Sequence, residues 1–223
     1  MLILLPPSEG KTPPIGQNRL DLDALTGSDE LSISRLSVLE KYGAGIFDEP
    51  TAPAIDIYSG VLYQALNYRT LSKSAQERAQ SQLLIFSALF GVLRPLDSIP
   101  YYRMKIKSSD WKAPLNTALA GLESELIVDC RSSTYVSAWK SDPQITVAVR
   151  VFQEIAGARA VITHMSKKYR GELVRILMQG RAPKNPHELR DIAAKYFKVE
   201  LHEPSGAIPW QLDLIYIQPQ QQN

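Results

Sequence analysis

Apolar positions along the chain follow two periods, one typical of strands and one typical of helices. Short apolar runs bounded by proline, glycine or polar residues predict strands over 1–5, 125–130, 144–152, 158–163, 198–201 and 212–217. Spacings of three and four residues predict helices over 29–42, 56–66, 74–90, 114–121, 166–180 and from 185 onward. We therefore expect an α/β fold: a single domain over 1–223, in which helices surround a mixed β-sheet.

The stretch 83–107 carries the most concentrated signal. Its apolar start predicts a helix that ends at Gly91, and Arg94, Tyr102 and Arg103 follow closely. The segment Phe90-Gly91-Val92 resembles the hairpin of a helix–hairpin–helix, so we expect such an element near residues 75–105. In that element glycine lets backbone amides approach a DNA phosphate without reading the base. Tyr102 then stacks on a base or is half-buried in the core.

The distribution of charge adds to this interpretation. The net charge is only +2, which excludes a uniformly basic nucleic-acid coat. Residues 1–60 hold 4 Lys/Arg against 9 Asp/Glu, and the remainder holds 21 against 14. The single cysteine excludes an internal disulfide and favours a reducing compartment, and no apolar run is long enough for a membrane span. We expect a cytoplasmic protein without a membrane partner.

The predicted helix 166–180 begins with Lys167, Lys168 and Arg170. Cations at the start of a helix are repelled by the positive end of the helix dipole. Three cations at this position therefore indicate a site for an anion that would offset the repulsion. The alternative is a solvated basic helix end.

The turn after the strand 125–130 is also polar. Asp129, Arg131 and Ser132 could hold a phosphate or a ribose. Alternatively, Asp129 pairs with Arg131, and the hydroxyls cap a helix.

The first loop contains Gly10-Lys11-Thr12, which invites a P-loop interpretation. That motif needs a glycine where Leu5 stands and a helix where two prolines follow, so we reject it. The loop instead presents Glu9 and Lys11 to a cleft or forms a solvated turn. The histidines lack metal-ligand spacing, and we predict neither a metal nor a cofactor.

Five stretches resemble the YaaA peroxide-stress family: MLILLPPSEGKT at the start, YSGVLYQAL at 58–66, LFGVLRPLDSIPYYRMKI at 89–106, DCRSSTY at 129–135 and SKKYRGELVRIL at 166–177. The resemblance implies an unusual α/β fold with a helix–hairpin–helix and a positive cleft, DNA binding, and a role in limiting damage from peroxide and unincorporated iron. By position it assigns the hairpin to Gly91, Val92 and Arg94, and basic contacts to Arg103, Lys167, Lys168 and Arg170. The first loop departs from the Ser-Pro-Ala-Lys-Thr of better-known relatives, since Glu9 adds a carboxylate beside Lys11.

Two functions follow. The first is a DNA-binding stress protein without strong sequence specificity, whose contacts come from the residues named above; no protein partner is indicated. The second is an enzyme that cleaves N-glycosidic bonds of nucleotides or nucleic-acid bases, with Glu9 and Asp129 as the catalytic candidates.

Overall fold

A computed structural model describes residues 1–155, 158–161 and 163–217. Its strands are β1 Leu2–Leu5, β2 Thr51–Pro53, β3 Leu83–Ser87, β4 Gly91–Leu93, β5 Ser98–Pro100, β6 Ile127–Asp129, β7 Thr146–Ile155, β8 Ala158–Val161, β9 Lys198–His202 and β10 Trp210–Ile217. Its helices are α1 Ser28–Tyr42, α2 Ala54–Ile57, α3 Val61–Leu66, α4 Lys73–Gln82, α5 Ser108–Ala118, α6 Ser133–Val136, α7 Thr163–Gln179 and α8 Pro186–Ala193. The predicted α/β class with a mixed sheet is confirmed.

The main sheet has eight strands in the order β4-β3-β1-β6-β7-β10-β9, and β8 pairs with the far end of β7. Five neighbouring strands, β3, β1, β6, β7 and β10, run parallel, while β4, β8 and β9 are antiparallel. Every residue of β1 is buried, because both faces of a central parallel strand are covered. β2 and β5 form a separate small pair.

The element near residues 75–105 differs from the expectation. α4 ends at Gln82, and Leu83–Ser87 continues as a fully buried strand parallel to β1. β4 then folds back on β3, so residues 83–93 form a β-hairpin, where the sequence predicted a helix reaching Phe90. A run of apolar residues without a polar face fits a buried strand as well as a buried helix, and sheet pairing decides between them.

The Arg35 side chain of α1 binds backbone carbonyls of this hairpin. The side chain is fully buried, and its Nε donates to the Phe90 carbonyl at 3.0 Å. Its Nη2 donates to the carbonyls of Val92 at 3.0 Å and Thr26 at 2.6 Å. The turn that sequence analysis assigned to DNA is thus tied to the core by a buried guanidinium.

α7 crosses α3 closely at Gly171. A Cβ at this position would lie 2.2 Å from the Leu62 carbonyl oxygen and 2.8 Å from the Ala65 Cβ. Glycine is required because the two helix backbones nearly touch. None of the helices in the described ranges has the combined length and apolar character that crossing a bilayer requires.

Candidate functional site at the carboxyl edge of the sheet

The sheet has a switch point between β1 and its neighbour β6. The chain leaving β1 returns through β3 on one side, whereas the chain leaving β6 returns through β7 on the other. In open α/β sheets such a point creates a crevice outside the carboxyl ends of the strands, where ligands bind. The loop after β1 and the turn after β6 contain Glu9, Lys11, Arg131 and Ser132, so this edge is the candidate site.

The loop after β1 is held against the start of α3. The Ser8 hydroxyl accepts a hydrogen bond from the Gly60 amide at 2.8 Å, and a Cβ on Gly60 would lie 2.1 Å from that oxygen. Lys11 forms an isolated bridge with Tyr58, and the Thr12 amide donates to the Ile57 carbonyl. No helix follows this loop before α1, which agrees with rejecting a P-loop.

Lys11 has an unusual environment for a lysine. Its Nζ donates to the Ser8 carbonyl at 2.6 Å and lies 4.6 Å from the ring centroid of Tyr102 and 5.5 Å from that of Tyr58. Burial, followed by the charge of Arg103, lowers the pKa of Lys11 to about 8, against an opposing effect of Glu9. The amine is therefore partly neutral near physiological pH.

A chain of hydroxyls lies beneath Lys11. The Tyr58 and Tyr102 hydroxyls are 2.7 Å apart, and the Tyr102 hydroxyl is 2.8 Å from that of Ser87 at the end of β3. Burial raises the pKa of Tyr102 well above its usual value, so the phenol stays neutral. Only 1% of Tyr102 is exposed, which leaves no ring face for base stacking; the core alternative applies.

Asp129 and Arg131 are paired with each other. Arg131 donates through Nε and Nη2 to the two oxygens of Asp129, at 2.9 and 2.7 Å, and through Nη1 to the Trp139 carbonyl at 3.0 Å. The guanidinium stacks 4.2 Å from the Phe86 ring centroid. Both side chains are buried, so the structure places this pair in a supporting role beneath the turn. Ser132 precedes α6 and is exposed.

Arg103 remains at the surface of the site. Its Nε donates to the Tyr101 hydroxyl at 2.7 Å, and its backbone amide donates to the Tyr42 hydroxyl at 3.2 Å. No ion pair among the described residues involves Arg103 or Lys11. The charge of Arg103 therefore acts on Lys11, and in the described part of the chain neither cation forms an ion pair with a carboxylate.

α7 begins at Thr163, one turn earlier than predicted, so Lys167, Lys168 and Arg170 are not in its first turn. Arg170 donates to the Val149 carbonyl at 3.2 and 2.9 Å. Lys168 pairs with Glu172 at 3.7 Å, and Lys167 is exposed. The dipole argument for an anion site at the helix start therefore does not apply to these residues.

Of three further predicted contacts, two are buried and one lies at the other end of the sheet. Gly91 has a φ of 74° and is covered by Trp111, whose Cζ3 would be 2.6 Å from an added Cβ, and Val92 is 1% exposed. Neither residue lies at a surface that DNA can reach. The Arg94 Nη1 donates to the carbonyls of Ser81 and Leu83, at the amino end of β3 and the opposite end of the sheet.

Sequence reasoning missed Ser8, Tyr58 and Ser87, the polar groups that shape the environment of Lys11. Their signal was weak, because a single hydroxyl after a strand is common. It also missed a cluster on β9 and β10, where one ligand atom each from Glu200, His202 and Asp213 lies within 4.8 Å of the others. Arg150 and Arg159 already bind the carboxylates of Asp213 and Glu200, so this cluster is an ion-pair network.

Comparison with known proteins identifies the family. The model of the family described as peroxide stress protein YaaA matches residues 1–202. A UPF0246 protein of Streptomyces coelicolor is 34% identical over 260 residues, covering 96% of this chain and 98% of the relative. A UPF0246 protein of Corynebacterium efficiens is 38% identical and covers 86% of this chain and 91% of its own. The chain therefore belongs to the YaaA peroxide-stress family.

Proposed function

We propose that this YaaA-family protein binds DNA through its phosphates, at the carboxyl edge of the sheet, and thereby limits damage from peroxide and unincorporated iron. The supporting observation is that the charge of Arg103 acts on Lys11, while neither cation forms an ion pair with a carboxylate among the described residues. The two charges repel each other, and an anion bound between them would relieve this repulsion. A DNA phosphate is the anion that this arrangement favours.

Helix α7 supports the same function. Lys167 is exposed and lies three residues before Arg170, which reaches the Val149 carbonyl on the neighbouring strand β7. In the proposed complex, Lys167 supplies a further phosphate contact on the side of α7. Contacts of this kind position a duplex and carry no base information, so sequence specificity should be low.

The enzymatic alternative requires two available carboxylates. Glu9 is exposed, but both oxygens of Asp129 bond to Arg131. A mechanism that cleaves N-glycosidic bonds with Glu9 and Asp129 would first have to break the buried ion pair between Asp129 and Arg131. The geometry favours binding over that mechanism.

Salt-dependent binding to DNA tests the proposal. We would measure fluorescence anisotropy of two duplexes of unrelated sequence with wild type and with Lys11→Met/Arg103→Ala. The variant should weaken binding to both duplexes alike and reduce the slope of log K against log salt by about 2, since each phosphate contact contributes about 0.9.

A matched control removes the same charge at another place. Arg181 and Lys184 are exposed beyond the end of α7, and Arg181→Ala/Lys184→Met should leave the salt slope near that of wild type. Equal slopes for the two double variants would show that net charge alone, and not this edge, governs binding. Absence of salt-dependent binding by the wild type would refute the proposal itself.

A further inference from the structure

The environment of Lys11 exceeds what phosphate binding requires. A lysine that serves only as a cation works best in water with its full charge, as the surface lysines of nucleic-acid-binding proteins do. Lys11 instead lies against two aromatic faces, within 4.6 and 5.5 Å of their ring centroids, and its Nζ is fixed by the Ser8 carbonyl at 2.6 Å. These contacts remove water from the amine and fix its position.

Burial and the charge of Arg103 favour the neutral form of this amine, and they outweigh the charge of Glu9, which favours the ammonium form. Desolvation and the charge of Arg103 are two ways in which proteins turn a lysine into a nucleophile toward carbonyl carbon. At neutral pH a lysine with the pKa of about 8 found here holds about two orders of magnitude more neutral amine than an exposed lysine does. Glu9 is the carboxylate whose charge acts on the lysine, and the two rings that contact the amine are fixed by the buried Tyr58–Tyr102–Ser87 hydroxyl chain.

We propose that Lys11 forms an imine with the aldehyde of a ring-opened abasic sugar in DNA, and this inference rests on the DNA binding proposed above. The substrate class follows from the proposed DNA binding together with Arg103, whose charge acts on Lys11. A carbonyl carbon that meets this amine on DNA should lie next to a phosphate that Arg103 can bind, and an abasic sugar carries an aldehyde with a phosphate on each side.

The chemistry balances without a co-reactant. The lone pair of the neutral Nζ forms the N–C bond to the aldehyde carbon, and proton transfer gives a carbinolamine. The C–O bond then breaks, the oxygen leaves as water with the two hydrogens that the amine supplies, and a C=N bond remains. Glu9 is the exposed carboxylate whose charge acts on Lys11, so it is the group that would transfer the proton during loss of water.

Borohydride trapping tests this inference. Reduction of the imine leaves a stable secondary amine, so the full-length protein should migrate on a denaturing gel as a covalent complex with DNA that contains an abasic aldehyde. A duplex with a tetrahydrofuran abasic analogue, which has no aldehyde, should bind equally but give no covalent complex. Peptide mapping of the complex should place the modification on Lys11.

Two variants distinguish nucleophile from cation. Lys11→Arg keeps the charge but stays protonated, so the fraction of bound DNA that is trapped, with bound DNA measured in parallel by anisotropy, should fall by at least about tenfold. Lys184→Arg, at an exposed lysine beyond α7, should trap as wild type does. Attachment at another lysine, or equal trapping by Lys11→Arg, would overturn the inference.

The two proposals fail separately. If wild type binds the tetrahydrofuran duplex with the expected salt dependence but does not trap the aldehyde duplex, imine formation is refuted and phosphate binding stands. If neither duplex is bound, both phosphate binding and imine formation are refuted, because Lys11 could then not reach the aldehyde.

Discussion

Lys11 should make DNA binding depend on pH above neutrality. A bound phosphate favours the charged amine, whereas the free protein loses that proton as the pH rises through about 8. Binding above this pH must take up a proton, so affinity should fall by up to about tenfold per pH unit. Lys11→Arg stays charged and should show a flat profile. Anisotropy titrations from about pH 7 to about pH 9.5 measure the difference, and identical profiles for the two proteins would contradict it.

Arg131 should contribute strongly to stability although it does not face the proposed ligand. Arg131→Met leaves the carboxylate of Asp129, which is 6% exposed, buried without its partner. Breaking a buried pair from one side costs about 3–5 kcal/mol, which urea unfolding would report as a lower midpoint. Arg103→Met at the surface should change stability by less than about 0.5 kcal/mol. A loss below about 1 kcal/mol for Arg131→Met would show that Asp129 finds water or another donor.

At the scale of elements, the crossing of α3 and α7 depends on Gly171. Helix propensity alone predicts that Gly171→Ala stabilises α7 by up to about 1 kcal/mol. The added Cβ would, however, meet the Leu62 carbonyl oxygen at 2.2 Å, and this oxygen belongs to a backbone that cannot rotate away. We expect a net destabilisation of about 1–3 kcal/mol by urea unfolding. Gly121→Ala, with nothing within 4 Å of its added Cβ, is the control, and a stabilised Gly171→Ala would mean that the helices separate freely.

Elements with local signals were predictable from the sequence. Asn185 caps α8 by accepting from the Glu188 amide at 2.9 Å, with Pro186 at the first helical position, as the sequence indicates. The segment after Gln82 was not predictable, because its conformation depends on pairing with β1, nearly eighty residues earlier in the chain. At α7 the boundary differs by three residues, since the helix begins at Thr163 and not at residue 166.

At the scale of the molecule, replacing an arginine at one end of the sheet should weaken DNA binding, whereas replacing an arginine at the other end should lower stability. Arg94 binds the carbonyls of Ser81 and Leu83 at the amino end, whereas Arg103 lies at the carboxyl edge. Arg103→Ala should lower the salt slope of DNA binding by about 0.9, and Arg94→Ala should leave it unchanged while it destabilises the fold. Anisotropy and urea unfolding of both variants decide this. A reduced slope for Arg94→Ala would place DNA across the amino end as well.

The candidate site shows how far sequence alone can reach. Lys11 could be proposed from the polar loop after the first strand, and Arg103 from the cations and tyrosines that follow Gly91 and from the family resemblance. Whether Asp129 was available could not be known, since its bond to Arg131 depends on both side chains turning inward beneath the turn. Gly91 shows the same limit: the sequence predicted it at the end of a helix, whereas it lies in a β-hairpin with a positive φ and is covered by Trp111.

The buried guanidinium of Arg35 has a consequence for how the chain assembles. It bonds to carbonyls of residues 26, 90 and 92, so α1 and the β3–β4 hairpin become mutually dependent across more than fifty positions. The guanidinium lacks its acceptors when the hairpin is unfolded, and the hairpin carbonyls lack their donor when α1 is unfolded. Burying a charged guanidinium without these hydrogen bonds would cost free energy. The hairpin beside the proposed DNA site should consequently become protected from hydrogen exchange together with α1, late in folding and in a single step.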